Sequence, residues 1–171
     1  EKDKLENFST NFNFEKWIEN IQFSNTTYYR QTIAEYDNSA TKETGYVGNN
    51  KMLTFQFKTK IQNINSENEL ILFYNNYDRE YDERGTMDYY DSSSMGIKYD
   101  FSKLLNEKLS YGLGSEYRYD EGDFENNGSY SASTKGDYDN LSFYGNFGFN
   151  LSENSTLSFF HRNDSNEITD S

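Results

Sequence analysis

Apolar and polar residues alternate with a period of two along much of this chain, the spacing that places successive side chains on opposite faces of a β-strand. Leu53, Phe55, Phe57, Thr59 and Ile61 alternate with Thr54, Gln56, Lys58, Lys60 and Gln62. Tyr89, Ser93, Met95, Ile97, Tyr99 and Phe101 oppose Ser94, Gly96, Lys98 and Asp100. The alternation is clearest where Leu109, Tyr111, Leu113, Ser115, Tyr117 and Tyr119 oppose Ser110, Gly112, Gly114, Glu116 and Arg118. It recurs where Leu141, Phe143, Gly145, Phe147 and Phe149 oppose Ser142, Tyr144, Asn146, Gly148 and Asn150. A first segment places Trp17, Ile21, Phe23, Thr27 and Tyr29 on one face, with Glu19 and Asn25 as exceptions. Another, from about Glu69 to Tyr81, contains the continuous run Leu70 to Tyr74, whose facing periodicity leaves open. Thr156, Leu157 and Phe159 begin the last strand, and Lys4 to Asn11 is a candidate for one more before the first.

The connections alternate in character. Ile61 to Glu69, Phe101 to Lys108 and Phe149 to Thr156 are short and rich in Asn, Ser and Glu, the chemistry of tight turns. Gln31 to Asn50, Asp82 to Asp88 and Asp120 to Asn140 are longer or more polar and read as loops. That rhythm belongs to antiparallel transmembrane β-barrels, with short periplasmic turns and longer extracellular loops. Tyr28, Tyr29, Tyr77, Tyr81, Tyr89, Tyr90, Tyr117, Tyr119 and Tyr138 gather beside the long connections, and Phe12, Phe14, Trp17, Phe101 and Phe149 beside the short ones. Such gatherings at the two strand ends suit aromatic girdles at the membrane interfaces.

Composition sharpens this. Only 33% of the 171 residues are hydrophobic, too few for a well-stocked sealed core, yet 18% are aromatic, which argues against a disordered chain. Proline is absent, which suits long segments whose every N–H enters a ladder, and so is cysteine, which excludes disulfides and thiolate metal sites. A formal net charge of −13 argues against nucleic acid as a partner. No apolar run is long enough for a transmembrane helix, which leaves strands as the means of crossing a bilayer.

The stretch Leu109 to Asp120 (LSYGLGSEYRYD) resembles an ascending strand in the barrel of a TonB-dependent outer-membrane receptor. Asp139 to Asp164 resembles the descending strand, periplasmic turn and next ascent of the same family, and the likeness extends back to about Asn7. The resemblance implies a barrel of about 22 strands plugged by an N-terminal domain. It also implies import of a small nutrient ligand, such as a siderophore or cobalamin, and coupling to a TonB-type protein through the plug. Residues 1–171 are then expected to form part of one β-barrel domain in the bacterial outer membrane, in contact with its lipid, with the plug and remaining strands outside this chain. With seven clear strands, an odd number, the chain is expected not to close on itself. The competing expectations are a complete small barrel of about eight strands with a structural or adhesion role, and a soluble acidic β-domain that binds glycan or calcium.

Two sets of residues carry candidate chemistry. The acidic residues beside the long connections include Asp82, Asp88, Asp91, Asp120 and Asp123, hard oxygen ligands that could hold calcium if their loops converge; a solvated acidic rim is the plainer reading. His161, the only histidine, has Ser158, Asp164 and Ser165 nearby, but neighbours along one strand point to opposite faces, so no hydrolytic site is expected. Lys58, Lys60, Lys98, Glu116 and Arg118 are expected to point inward into a hydrated lumen where opposite charges can pair.

Overall fold

The computed structural model of the protein describes residues 4–38, 43–83, 86–128, 131–152 and 155–170. They form a single antiparallel sheet of eight strands, each hydrogen-bonded to its neighbours in sequence: β1 (Lys4–Ile18), β2 (Ile21–Asn38), β3 (Glu43–Gln62), β4 (Ser66–Glu83), β5 (Thr86–Asn106), β6 (Leu109–Asn126), β7 (Ala132–Ser152) and β8 (Ser155–Asp170). The all-β, up-and-down architecture is the expected one. The sheet is open, since β1 and β8 do not pair with each other.

Register fixes the faces, because directly opposed residues lie on the same side of a sheet. One row runs Phe14–Asn25–Phe57–Leu72–Ile97–Tyr117–Leu141–Ser165, and the next row on that face runs Phe12–Thr27–Phe55–Tyr74–Met95–Tyr119–Asp139–Glu167. These rows start in phenylalanine and end in polar residues, whereas lower rows end in Phe159 and Leu157 opposite Phe147 and Phe149. The apolar belt therefore slants across the hydrogen-bond register, the signature of strands tilted to the plane in which the belt lies. Its side chains are open to the surroundings: Leu113 is 55% exposed, Phe143 56% and Phe159 63%. There is no sealed core; among the described residues Tyr46 is the one buried hydrophobic.

Asn25 and Tyr99, polar residues within the belt, are hydrogen-bonded in place. Asn25 donates from Nδ2 to the Gln56 carbonyl at 3.2 Å and accepts from Thr27 Oγ1 at 3.1 Å, and Tyr99 donates to Asn68 Oδ1 at 2.8 Å. That is the condition for placing an amide where water is scarce.

The structure departs from the sequence expectations at several points. The first expected strand is two: the chain turns at Glu19 and Asn20, with Glu19 in the left-handed region at φ 55°, so the candidate strand at Lys4 to Asn11 is the start of a full β1. The turn inverts parity, and Trp17 lies opposite Gln22 on the other face from Ile21. The ambiguous run divides, with Leu70, Leu72 and Tyr74 on the apolar face and Ile71 and Phe73 on the polar one. The segments expected as long loops are mostly paired strand, because β-branched and aromatic residues such as Thr32, Ile33, Val47 and Tyr89 continue the ladder well above the belt. Strands of 15 to 21 residues result, against about 9–11 needed to span a bilayer. The upper connections at 39–42 and 84–85, and the lower one at 153–154, lie outside the described residues.

Each described lower turn is tied to the strand beyond its own hairpin. Gln62 N donates to Asn20 O at 2.9 Å, Leu104 N to Asn65 O at 2.8 Å, and Asn150 N to Lys108 O at 2.8 Å. Within the β5–β6 turn, Asn106 Oδ1 accepts from both Lys108 N (2.9 Å) and Leu109 N (3.0 Å), the local bonding for which Asn is favoured in turns. Asn106→Ala should therefore lower stability in equilibrium unfolding by about 1 kcal/mol, and Asn106→Asp should retain most of it.

Candidate functional site

The face opposite the belt carries the chain's ordered polar chemistry. Lys58, Lys60, Lys98, Glu116 and Arg118 all lie on it, as alternation predicts, and so does Asn146. They are paired: Lys58 Nζ–Glu69 at 3.5 Å, Lys60 Nζ–Glu67 at 2.8 Å, Lys98 Nζ–Asp100 at 3.0 Å, Arg118 Nε–Asp120 at 2.6 Å and Arg162 Nη1–Glu116 at 3.8 Å. Acids and bases on this face are matched both within strands, as in Lys98–Asp100 and Arg118–Asp120, and between them, as in Lys58–Glu69 and Lys60–Glu67, although the whole chain is strongly acidic.

Its centre is a brace built on Tyr144. The ring lies across β6 over Gly114, where an added methyl would overlap it, and the hydroxyl donates to Asp100 Oδ1 on β5 at 2.6 Å. Lys98 Nζ sits 5.8 Å from the ring centroid and the Arg162 guanidinium 5.7 Å from it, within cation–π reach. Arg162 in turn donates from Nε to Asp164 at 2.8 Å and from Nη2 to Ser142 Oγ at 2.8 Å. Ser142 donates to Asp164 and is fully buried beneath this network. Four strands, β5 to β8, are thereby tied side chain to side chain. Sequence reasoning did not single out Tyr144, Asp100, Ser142 or Arg162, because each is ordinary in its own strand and only register brings them together. The signal that could have found them is the Gly114–Tyr144 pair, a residue without a side chain facing a large ring.

The acidic candidates separate by parity. Asp82, Asp91 and Asp123 lie on the belt side above the apolar zone, and Asp88 and Asp120 lie on the polar side. Asp91 and Asp123 face each other directly across β5 and β6, in a row that also holds Asp78 and Lys135, whereas Asp88 accepts from Asn126 and Asp120 from Arg118. Among the described residues no three His, Asp or Glu side chains group so as to hold a metal ion. Burial, and then the negative charge of Asp78, push the Asp91 carboxyl above the ordinary carboxylate range. Lys135 is raised above the ordinary lysine value by its bond to Glu121, at 2.7 Å.

Parity also splits the expected girdles, since height alone does not decide facing. Tyr29, Tyr89, Tyr117 and Tyr119 stand on the belt face, but Tyr28, Tyr77, Tyr81, Tyr90, Tyr138 and Trp17 stand on the polar face. His161 is on the belt face, whereas Ser158 and Asp164 are on the other.

The same arrangement of strands occurs in solved structures of outer-membrane proteins. The copper transporter OprC superposes with a TM-score of 0.76 at 14% identity over 98% of this chain and 29% of its own. BauA, the ferric preacinetobactin receptor of Acinetobacter baumannii, gives 0.76 at 8% identity over 99% and 34%, and the outer membrane transporter YddB of Escherichia coli gives 0.71 at 12% over 97% and 26%. The chain has the fold of part of an outer-membrane transporter barrel. It spans about a quarter to a third of the length of these transporters, and the likeness to the barrel portion of TonB-dependent transporters first drawn from Leu109 to Asp164 holds in three dimensions. By sequence, no family profile and no curated protein matches the chain.

Two outcomes are expected from this geometry. Gly114→Ala should displace the Tyr144 ring and cost about 1–3 kcal/mol in equilibrium unfolding, the range for overpacking a tight site. Asp91→Asn should stabilise the protein at neutral pH by about 0.5 kcal/mol, the lower part of the like-charge range because both carboxylates are solvent-screened. An acid whose folded pKa is raised takes up a proton on folding, so its penalty is present at neutral pH and fades as pH falls through that raised range. The gain over the parent should therefore disappear in acid, as read from melting curves at each pH.

Proposed function

We propose that this chain is a section of barrel wall in an outer-membrane nutrient-uptake receptor, with the apolar belt against lipid and the polar face toward a hydrated lumen. The observation that carries the reading is the division of the sheet into an exposed aromatic-aliphatic face and a polar face that carries ion pairs on β3 to β6 and on β8. A soluble sandwich would bury the first face against a second sheet. In a bilayer, that face meets acyl chains, and the strands from β2 to β7 have a paired neighbour on both sides to meet their backbone groups.

In the proposed receptor, the long upper strands rise beyond the membrane and the Tyr- and Asp-rich segments contribute to the extracellular mouth. A scarce small ligand, such as a siderophore, cobalamin or a similar nutrient, enters there, and a TonB-type protein acts through a plug to release it inward. The paired charges of the polar wall suit this role, because a surface with its charges already matched exposes few unmet groups to a plug or a passing solute. Support for this reading comes from the fold shared with solved transporters and receptors, and the choice of ligand belongs to the mouth and plug together.

Residues 1–171 contain no cysteine, so cysteines introduced among them can report on single positions once any cysteine elsewhere in the protein has been replaced. Single cysteines at Leu113, Phe143 and Phe147, and at the exposed polar-face positions Thr26, Ser92 and Asn146, are introduced into the protein carrying this chain and labelled with an environment-sensitive fluorophore in outer-membrane preparations. Emission should be blue-shifted and quenched by lipid-borne quenchers for the first set, and open to aqueous quenchers for the second. Aqueous quenching of the first set would overturn the lipid-facing assignment.

A further inference from the structure

On the belt side of β4, β5 and β6, an apolar groove runs upward into a carboxylate-lined hollow, and Tyr74 belongs to both. The groove, of about 590 Å³, lies among Phe55, Leu72, Tyr74, Met95, Ile97 and Tyr117. From the row Tyr74–Met95–Tyr119 the face climbs through Asn76–Ser93–Glu121 to Asp78–Asp91–Asp123. There a hollow of about 530 Å³ opens over the small side chain of Ser93, with Tyr89 above it and Lys135 in its far wall. An apolar slot that ends in a polar hollow at the upper edge of the belt has the form of a seat for an amphiphile.

The charge of the hollow selects the head group. Asp78, Asp91 and Asp123 stand opposite one another on adjacent strands, in a row closed by Lys51 at one end and Lys135 at the other. Asp91 accepts from Asn76 Nδ2 at 3.2 Å. The two end lysines bond to other carboxylates, Lys135 to Glu121 at 2.7 Å and Lys51 to Glu80 at 3.6 Å, and Arg79 in the wall of the hollow stands over the Tyr81 and Tyr90 rings, so the negative charge is least offset at Asp91 in the middle of the row. Directly opposed like charges destabilise a sheet, and a cation placed between them relieves that repulsion. A head group bearing bare phosphates would be repelled from the same place.

We propose that the groove and hollow seat a lipid of the outer leaflet whose head carries a primary ammonium group, one acyl chain lying along Leu72 and Ile97 and the ammonium between Asp78 and Asp91. The proposal rests on the reading of the belt as lipid-facing. An ammonium suits the place because it offers several donors to two facing carboxylates, each bond charge-assisted. Tyr89 lines the same hollow one row above, and aromatic rings also attract cations.

The test uses the complete protein carrying this chain, folded in detergent, and two probes with the same acyl chains: lipid A with phosphoethanolamine-capped phosphates, and lipid A with bare phosphates. Lipid retention is read by native mass spectrometry in the absence of divalent cations. The capped lipid should be retained about tenfold better, and Asp78→Asn with Asp91→Asn should erase the preference while leaving heat-modifiable migration intact. That double substitution removes repulsion, so it does not threaten folding. Ile97→Glu should weaken retention of both probes. Equal retention by the parent, a preference that survives the double substitution, or a preference that appears only when calcium is added would each overturn the proposal with the barrel still folded. Loss of heat-modifiable migration in the parent would instead bring down the lipid-facing reading, and this inference with it.

Discussion

Everything in this protein depends on the backbone ladder. A strand that faces hydrocarbon, as proposed for this chain, has no water to meet its N–H and C=O groups, so each must be paired with a neighbour, and the sequence suits that need. Proline is absent from the whole chain. Consecutive strands pair along nearly their full length, with register shifts only near the ends of the β2–β3, β5–β6 and β7–β8 pairs. Once pairing is fixed, alternation does the rest: every side chain is committed to one of two environments, and a shift of one residue would exchange them along an entire strand.

That commitment explains why so much was legible. Where Phe, Leu and Tyr alternate with Ser, Gly and Lys, as in β5, β6 and β7, facing could be read directly, and the placement of Lys58, Lys98 and Arg118 opposite the apolar belt followed. Errors arose where parity was broken or masked. The turn at Glu19 and Asn20 contains neither Gly nor Pro, so Trp17 and Ile21 read as one strand. Tyr28 and Tyr29, or Tyr89 and Tyr90, are adjacent in sequence and alike in height, yet each pair straddles the sheet. The calcium candidates shared a height in the same way, but Asp91 and Asp120 belong to different faces.

The Tyr144 brace shows what lies beyond a single-strand reading. Its parts come from β5, β6, β7 and β8, and the sequence separation between Tyr144 and Asp100 gives no hint that they meet. What makes the contact possible is a missing side chain at Gly114, which lets a ring cross a whole strand instead of only its neighbour. The brace therefore adds stiffness perpendicular to the strands, a direction in which the ladder alone is easily bent. Its ion pairs remain half open to solvent, so its contribution lies more in fixing geometry than in energy.

The lower turns carry an implication for assembly. The carbonyls of Asn20, Asn65 and Lys108 accept hydrogen bonds from β3, β5 and β7 in that order, each the first strand of the following hairpin. A hairpin by itself thus leaves its own turn unfinished, and the incoming hairpin completes it. The junction is reciprocal, because the following strand brings an N–H that the earlier turn meets, so neighbouring hairpins overlap like tiles and each seam is held from both sides.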